Sequence, residues 1–81
     1  MLSAEREARV REIICDILEL EEDELTLTGR LREDYGADSM NAVEIQSHIE
    51  VEFDIEIARE DLKRMVDLKT VLELLDTAKA R

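Results

Sequence analysis

The sequence predicts an all-α protein: a four-helix bundle with a short third helix and a long loop between the first two helices. Apolar residues recur at helical spacing in several stretches, and no stretch alternates apolar and polar residues as a half-buried strand does. The chain contains no proline, so its helices must end through side-chain capping and turns. Its 81 residues allow one small domain, which we expect to span residues 1–81.

The first helix is predicted over residues 4–18, and Ser3 is suited to cap its start. Apolar residues in this stretch follow the i, i+3, i+4, i+7, i+8 pattern that places side chains on one face of a helix. That face is expected to enter the core. It consists of Val10, Ile13, Ile14, Ile17 and Leu18.

Residues 19–38 show no sustained periodicity and are predicted to form a long loop. We expect four side chains to hold the loop on the core, namely Leu25, Leu27, Leu31 and Tyr35. A helical turn is expected over residues 21–25. A loop of about 20 residues is unusual in so small a domain, and such loops commonly carry function.

The second helix is predicted over residues 39–53. Its inward side is expected to carry Ala42, Ile45, Ile49 and Phe53. A separate row of residues would face outward between carboxylates, and exposed apolar residues with an acidic rim are typical of a docking surface. The row is Met40, Val43 and Ser47, flanked by Glu44, Glu50 and Glu52.

Two further helices complete the predicted bundle. The third is short, over residues 58–65, and the fourth spans residues 68–79. The side chains expected to point inward are Leu62, Met65 and Val66 around the third helix, and Leu68, Val71, Leu72 and Leu75 on the fourth.

The composition restricts the kind of partner. A net charge of −11 repels nucleic acid and anionic membranes and attracts proteins with basic patches. No run of about 18 apolar residues is present, so no membrane span is expected. Cys15 is the only cysteine, which excludes an internal disulfide and suits a reducing compartment. We therefore expect a cytoplasmic protein, most simply a monomer.

Salt should stabilise the folded chain. Repulsion among the excess carboxylates opposes the compact state, and salt screens that repulsion. The melting temperature is expected to rise as sodium chloride increases from about 20 mM to about 500 mM, a range that shortens the Debye length severalfold. A melting temperature that stays constant over this range would contradict the prediction.

One stretch, Gly36-Ala37-Asp38-Ser39-Met40, places a serine hydroxyl at the end of the long loop, directly before the second helix. No neighbouring group is suited to activate this hydroxyl, which indicates a serine modified by a partner enzyme. The only histidine, His48, would lie about 13 Å further along the helix axis, too far for a nucleophile–base pair.

The sequence also lacks the features of a metal enzyme. No Cys/His cluster has the spacing of a zinc site, and the acidic runs lack the spacing of a calcium-binding loop. We therefore predict a non-catalytic protein without a metal site.

These residues resemble the acyl carrier proteins of fatty acid and polyketide synthesis. The central motif of that family is Gly-x-Asp-Ser-Leu, and this chain has Gly36-Ala37-Asp38-Ser39-Met40. The segments 43–45 and 52–54 fit the family's second helix and its end, and the segment 10–14 fits its first helix. The resemblance covers about residues 4–76.

The resemblance implies that Ser39 receives a 4′-phosphopantetheine arm from coenzyme A. A separate phosphopantetheinyl transferase would attach it, normally with magnesium, and Asp38 would help that enzyme to recognise the site. The thiol of the arm would then carry acyl intermediates as thioesters. The carrier itself would catalyse no reaction.

The resemblance also implies interaction surfaces. Partner enzymes would contact Met40, Val43, Glu44 and Glu50. These enzymes include ketosynthases, acyltransferases or acyl-carrier ligases, and tailoring enzymes with basic patches. The family's acyl pocket would be lined here by Ile49, Ile57, Leu62, Met65, Val71 and Leu74. Leu62 and Val71 are larger than the alanines frequent at those positions, so short cargo is expected.

Some departures from the family pattern point to a carrier dedicated to one pathway. Asn41 and Val51 replace residues that are commonly acidic, and Arg32 stands where the family often has an apolar residue. An aminoacyl or peptidyl carrier is therefore an alternative. Two other classes stay open at this point: an acidic DNA mimic or inhibitor, and a helical docking module, both without a prosthetic group.

Overall fold

The fold is described by a computed structural model that covers residues 3–80, without the side chains of Ser3 and Lys79. The capping role expected of the Ser3 side chain thus lies outside the described residues. Three α-helices carry the structure, together with two short 3₁₀ helices and two short strands. In chain order they are α1 (Ser3–Leu18), a 3₁₀ helix (Glu22–Glu24), α2 (Ser39–Phe53), β1 (Ile55–Glu56), a 3₁₀ helix (Arg59–Arg64), α3 (Leu68–Thr77) and β2 (Lys79–Ala80).

The predicted helical fold class is confirmed, and the core forms where the apolar stripes of α1, α2 and α3 meet. Burial of this apolar surface is the main term that stabilises so small a domain. Fully or nearly fully buried side chains come from all three helices and from the segments between them; they are Val10, Ile13, Ile14, Cys15, Leu25, Leu31, Ile45, Ile49, Ile57, Met65, Leu68, Val71, Leu74 and Leu75.

Exposed ion pairs connect α1 to both other helices. Arg9 pairs with Glu52 of α2 at 2.8 Å, and Arg6 pairs with Asp76 of α3. The hydrogen bond from Arg9 lowers the pKa of the Glu52 carboxyl below its ordinary value. Such exposed pairs add little to stability because water and salt screen them, so the apolar core determines how the helices pack.

The long loop is held by apolar and polar contacts. Leu25 and Leu31 are buried as predicted. The Tyr35 hydroxyl donates to the Glu24 carbonyl at 2.9 Å and accepts from the Thr26 N–H at 3.1 Å. The expectation for Leu27 is wrong, since its side chain is exposed. Its carbonyl instead accepts from the Lys69 N–H at the start of α3 at 3.0 Å.

The region after α2 departs from the prediction in three ways. The third helix is a 3₁₀ helix, a form that is used in short pieces. The two strands pair antiparallel, with Ile55 opposite Ala80, and they are too short to show an alternating pattern. The inward position expected for Val66 is also wrong, because this side chain is exposed. Within the described residues, none of the helices has the length and hydropathy of a membrane span.

Candidate functional site

Ser39 is the first residue of α2, at the end of the long loop. The N-cap of the helix is Asp38, whose carboxylate accepts a hydrogen bond from the Asn41 N–H at 2.9 Å. The Asn41 side chain in turn accepts from the Asp38 N–H at 3.0 Å. This reciprocal pair forms the side-chain cap of the helix, so the Ser39 hydroxyl is not needed for capping. The Ser39 side chain is exposed and has no hydrogen-bond partner among the described residues.

This capping pair explains one departure noted in the sequence. A residue at the third position of a helix that can bond back to the cap is usually Glu or Gln. Asn41 occupies that position here and reaches the Asp38 backbone. The polar, uncharged Asn41 thus has a local structural role in holding the loop end directly before Ser39.

Replacing Asp38 with alanine should destabilise the protein. The Asn41 N–H would lose its acceptor at the start of α2, and loss of such a cap costs about 0.5–2 kcal/mol. Chemical denaturation followed by circular dichroism measures this free energy of unfolding. Glu33→Ala is the matched control, because it removes one exposed carboxylate that has no bonding partner in the described structure. Equal stabilities of the two variants would contradict the capping role.

Gly36 allows the loop to turn into α2. Its φ of +75° lies in the left-handed region, which glycine adopts without the steric strain of a side chain. The turn is closed by hydrogen bonds from the Gly36 N–H to the Arg32 carbonyl at 3.1 Å and from the Ala37 N–H to the Leu31 carbonyl at 2.9 Å. Gly36 therefore has a backbone role in bringing Ser39 to the surface.

The outward side of α2 exposes apolar side chains beside Ser39. Met40 is 72% exposed and Val43 is 50% exposed, and the Glu44 side chain is also exposed. Val51, which the sequence analysis did not assign to this surface, is 74% exposed. Its spacing from Met40 and Glu44 places it on the same side of the helix, so helical periodicity could have identified it.

Glu50 lies two turns beyond Val43 on α2 and has a structural contact. Its carboxylate accepts from the Ile57 N–H at 2.8 Å, and the Gln46 amide donates to the Ile57 carbonyl at 3.2 Å. Together these two side chains hold the buried Ile57 between β1 and the following 3₁₀ helix. The role in partner recognition expected of Glu50 stays a prediction.

A cleft of about 540 Å³ opens beside Ser39. It lies between the end of the long loop, the first half of α2 and the 3₁₀ helix Arg59–Arg64. Its volume is within the range of small-molecule sites. The lining residues include Leu31, Arg32, Asp38, Ser39, Ala42, Val43, Ile45, Arg59, Leu62, Lys63, Met65 and Val66.

The six residues predicted to line an acyl pocket are divided between this cleft and the core. Leu62 and Met65 line the cleft. Ile57 and Leu74 border a second depression of about 300 Å³. The remaining two, Ile49 and Val71, are fully buried in the core. The structure therefore does not bring all six together around one open cleft, and the predicted pocket stays a prediction.

The described structure places the one histidine and the one cysteine away from Ser39. His48 is exposed further along α2. Cys15 is buried in the core, and burial raises the pKa of its thiol, which disfavours the reactive thiolate. Within the described residues, no group of three or more His, Cys, Asp or Glu side chains is arranged to hold a metal ion.

Comparison with known proteins gives three consistent findings. Residues 8–78 match the protein family described as "Phosphopantetheine attachment site". The chain is 40% identical over 77 residues to polyketide-8 synthase acyl carrier protein 1 of Streptomyces avermitilis, covering 95% of this chain and 92% of that relative. The solution structure of the apo doublet acyl carrier protein from prodigiosin biosynthesis superposes with a TM-score of 0.80.

The structural match supports the fold alone. It has 20% sequence identity and covers 98% of this chain but 38% of the doublet protein. A single copy of the present fold therefore corresponds to a part of that longer chain.

Proposed function

The chain belongs to the acyl carrier proteins and contains a phosphopantetheine attachment domain, and from this we propose that Ser39 is the residue that carries the arm. The observation that supports this assignment best is the position of its hydroxyl, which is exposed at the start of α2 and free of the capping bond. We further propose that the carrier domain spans residues 1–81 and that it performs no catalysis.

The start of α2 suits a phosphate ester chemically. The first N–H groups of a helix lack partners within the helix, and the positive end of its dipole favours an anion. Phosphopantetheine attached to Ser39 Oγ would place its phosphate there and its thiol at the far end of a flexible arm. That thiol holds acyl groups as thioesters, while Asp38 and Asn41 keep the attachment point on a rigid helix.

Acyl carrier proteins interact with the enzymes of their synthase and with modifying enzymes. We propose that this chain binds a phosphopantetheinyl transferase, a ketosynthase, an acyltransferase or acyl-carrier ligase, and tailoring enzymes through the outward side of α2. Asp38, Met40, Val43 and Glu44 would form this surface, with Glu50 at its edge. The net charge of −11 favours enzymes whose entrances are basic.

The similarity to an acyl carrier protein named for a polyketide synthase favours polyketide synthesis over fatty acid synthesis. We therefore propose that the cargo consists of polyketide intermediates and that the protein acts in the cytoplasm.

Loading by a transferase tests the proposed function. The full chain is incubated with coenzyme A, magnesium and a transferase of broad specificity, and its intact mass is measured. A gain of one phosphopantetheine per folded chain is expected. A folded chain that gains no mass, while a known carrier in the same reaction is loaded, would contradict the carrier function.

Replacing Met40 with alanine should weaken recognition by the transferase. An apolar anchor of an interface contributes about 1 kcal/mol or more, so kcat/KM for loading is expected to fall about fivefold. Leu27→Ala is the control because it truncates another exposed apolar side chain, which is 44% exposed and lies in the long loop outside α2. Equal values of kcat/KM for the two variants would exclude Met40 from the recognition surface.

A further inference from the structure

The cleft beside Ser39 combines an apolar interior with a cationic rim. Leu31, Ile45 and Met65 are buried side chains that form part of its wall. Three basic residues, Arg32, Arg59 and Lys63, also line it and are exposed. They come from two segments, since Arg32 belongs to the long loop and the other two belong to the 3₁₀ helix Arg59–Arg64.

These three basic side chains form none of the ion pairs or hydrogen bonds found in the described part of the fold. Arg6, Arg9, Arg11 and Arg64 each pair with a carboxylate. By contrast, the side chains of Arg32, Arg59 and Lys63 have no ion pair or hydrogen bond within the described part of the chain. In a protein with 22 acidic residues and a net charge of −11, unpaired cations around one opening create a local site that attracts anions.

Two carboxylates also line the cleft, but they leave the cationic rim in excess. Asp38 is occupied with the cap of α2, where it accepts from the Asn41 N–H. Glu33 is exposed on the loop beside Arg32. Among the residues that line the cleft, three cations stand against two carboxylates, whereas acidic residues outnumber basic ones two to one in the chain as a whole.

We propose that the cleft receives acyl cargo that ends in a carboxylate and discriminates against neutral cargo of equal length. The inference rests on the proposed attachment at Ser39, which lines the same cleft. The carbon chain of the cargo contacts the apolar wall, and its terminal carboxylate lies at the rim between Arg32 and the pair Arg59 and Lys63. An exposed charge pair is worth about 0.2–1 kcal/mol, so each one favours the bound cargo up to about fivefold.

The phosphate of the arm is a second anion that the rim could attract. It is fixed to Ser39 at the start of α2, where backbone N–H groups are available to it. A phosphate held there does not use the apolar wall formed by Leu31, Ile45 and Met65. A cargo with both a carbon chain and a carboxylate uses both parts of the cleft, which is why we assign the rim to the cargo.

Two matched cargoes test the proposal. The full chain is loaded with phosphopantetheine alone, with its glutaryl thioester or with its pentanoyl thioester, and intact mass verifies each product. The acyl groups have the same number of carbons and differ in the terminal carboxylate. Two-dimensional NMR then records the backbone amide shifts of residues 31–33 and 59–66 relative to the phosphopantetheine form. We expect shift changes about two to five times larger for glutaryl, and we expect salt to reduce them.

Charge-matched variants identify the groups responsible. The double variant Arg59→Gln, Lys63→Gln removes two rim cations. The control Arg30→Gln, Lys69→Gln removes two exposed, unpaired cations that do not line the cleft. The glutaryl preference should disappear in the first variant and persist in the control, while the pentanoyl shifts stay unchanged in both.

Three results would overturn the proposal. Equal shifts for the two cargoes would show an apolar cleft without charge selection. Large shifts on attachment of phosphopantetheine alone, lost in the rim variant, would assign the rim to the phosphate. Equal loss of the glutaryl preference in both variants would indicate a general effect of net charge. A chain that gains no arm at all fails at the mass measurement and contradicts attachment itself, so the two failures are distinguishable.

Discussion

The variant Ser39→Ala should fold normally and gain no phosphopantetheine. The hydroxyl oxygen is the proposed attachment atom, whereas the hydroxyl of Tyr35 in the preceding loop is bonded to the Glu24 carbonyl and the Thr26 N–H. The fold should tolerate the change because Asp38, not Ser39, caps α2, and the Ser39 side chain is exposed. We expect complete loss of the mass gain and a change in stability within about 0.5 kcal/mol. Intact mass after incubation with coenzyme A and transferase measures the loading, and thermal unfolding measures the change in stability.

Ser47→Ala is the matched control for this experiment. Ser47 is another exposed serine on α2, two turns further along the helix, so its removal tests loss of a hydroxyl without loss of the attachment site. This variant should gain one phosphopantetheine as the parent chain does. Retained loading in Ser39→Ala, or lost loading in a folded Ser47→Ala, would contradict the assignment of Ser39.

The variant Ile49→Ala should be strongly destabilised. Ile49 is fully buried where α2 packs on the core, and its truncation leaves a cavity that neighbouring helices only partly fill. Such a change costs about 2–5 kcal/mol. A chain of this length has a free energy of unfolding of only about 4–12 kcal/mol, so a large part of its stability would be lost. Urea unfolding followed by circular dichroism measures the difference in the free energy of unfolding between the variant and the parent chain.

Val51→Ala is the control on the same helix. Its parent side chain is 74% exposed, so the truncation creates no cavity and stability should change by less than about 0.5 kcal/mol. If Ile49→Ala were as stable as Val51→Ala, Ile49 would not lie in the closed core, and the predicted acyl pocket at that position would gain support instead.

The main helices could be predicted because apolar periodicity carries most of the information about an amphipathic helix. Val10, Ile13 and Ile14 on α1, like Ile45 and Ile49 on α2, are buried as the pattern predicts. The segments between the helices were harder to predict from the sequence. Leu27 lies outside a periodic stretch and Val66 lies just beyond the end of the 3₁₀ helix. Their exposure depends on how the loop and the 3₁₀ helix pack, which local sequence does not determine.

The candidate site shows a similar division. The motif identifies Ser39 and the start of α2, because a polar pentapeptide before an apolar stripe is a local signal. It does not reveal that Asp38 takes over the capping role, since both residues are good caps. The contact of Glu50 with the Ile57 N–H joins separate elements and could be found only in the folded chain.

The cleft depends even more on tertiary structure. Arg32 and the pair Arg59 and Lys63 lie far apart in sequence and line one cleft only because the folded chain brings the loop and the segment after the 3₁₀ helix together. The Leu31 N–H donates to the Val66 carbonyl at 2.9 Å and holds these two walls together. Sequence patterns on either segment alone give no indication of a shared opening.

The most direct test of the account is to locate the arm on the loaded protein. The chain is loaded with phosphopantetheine, digested, and fragmented by tandem mass spectrometry. The added mass is expected on Ser39 and on no other residue. Added mass on any other side chain of the folded protein would contradict it.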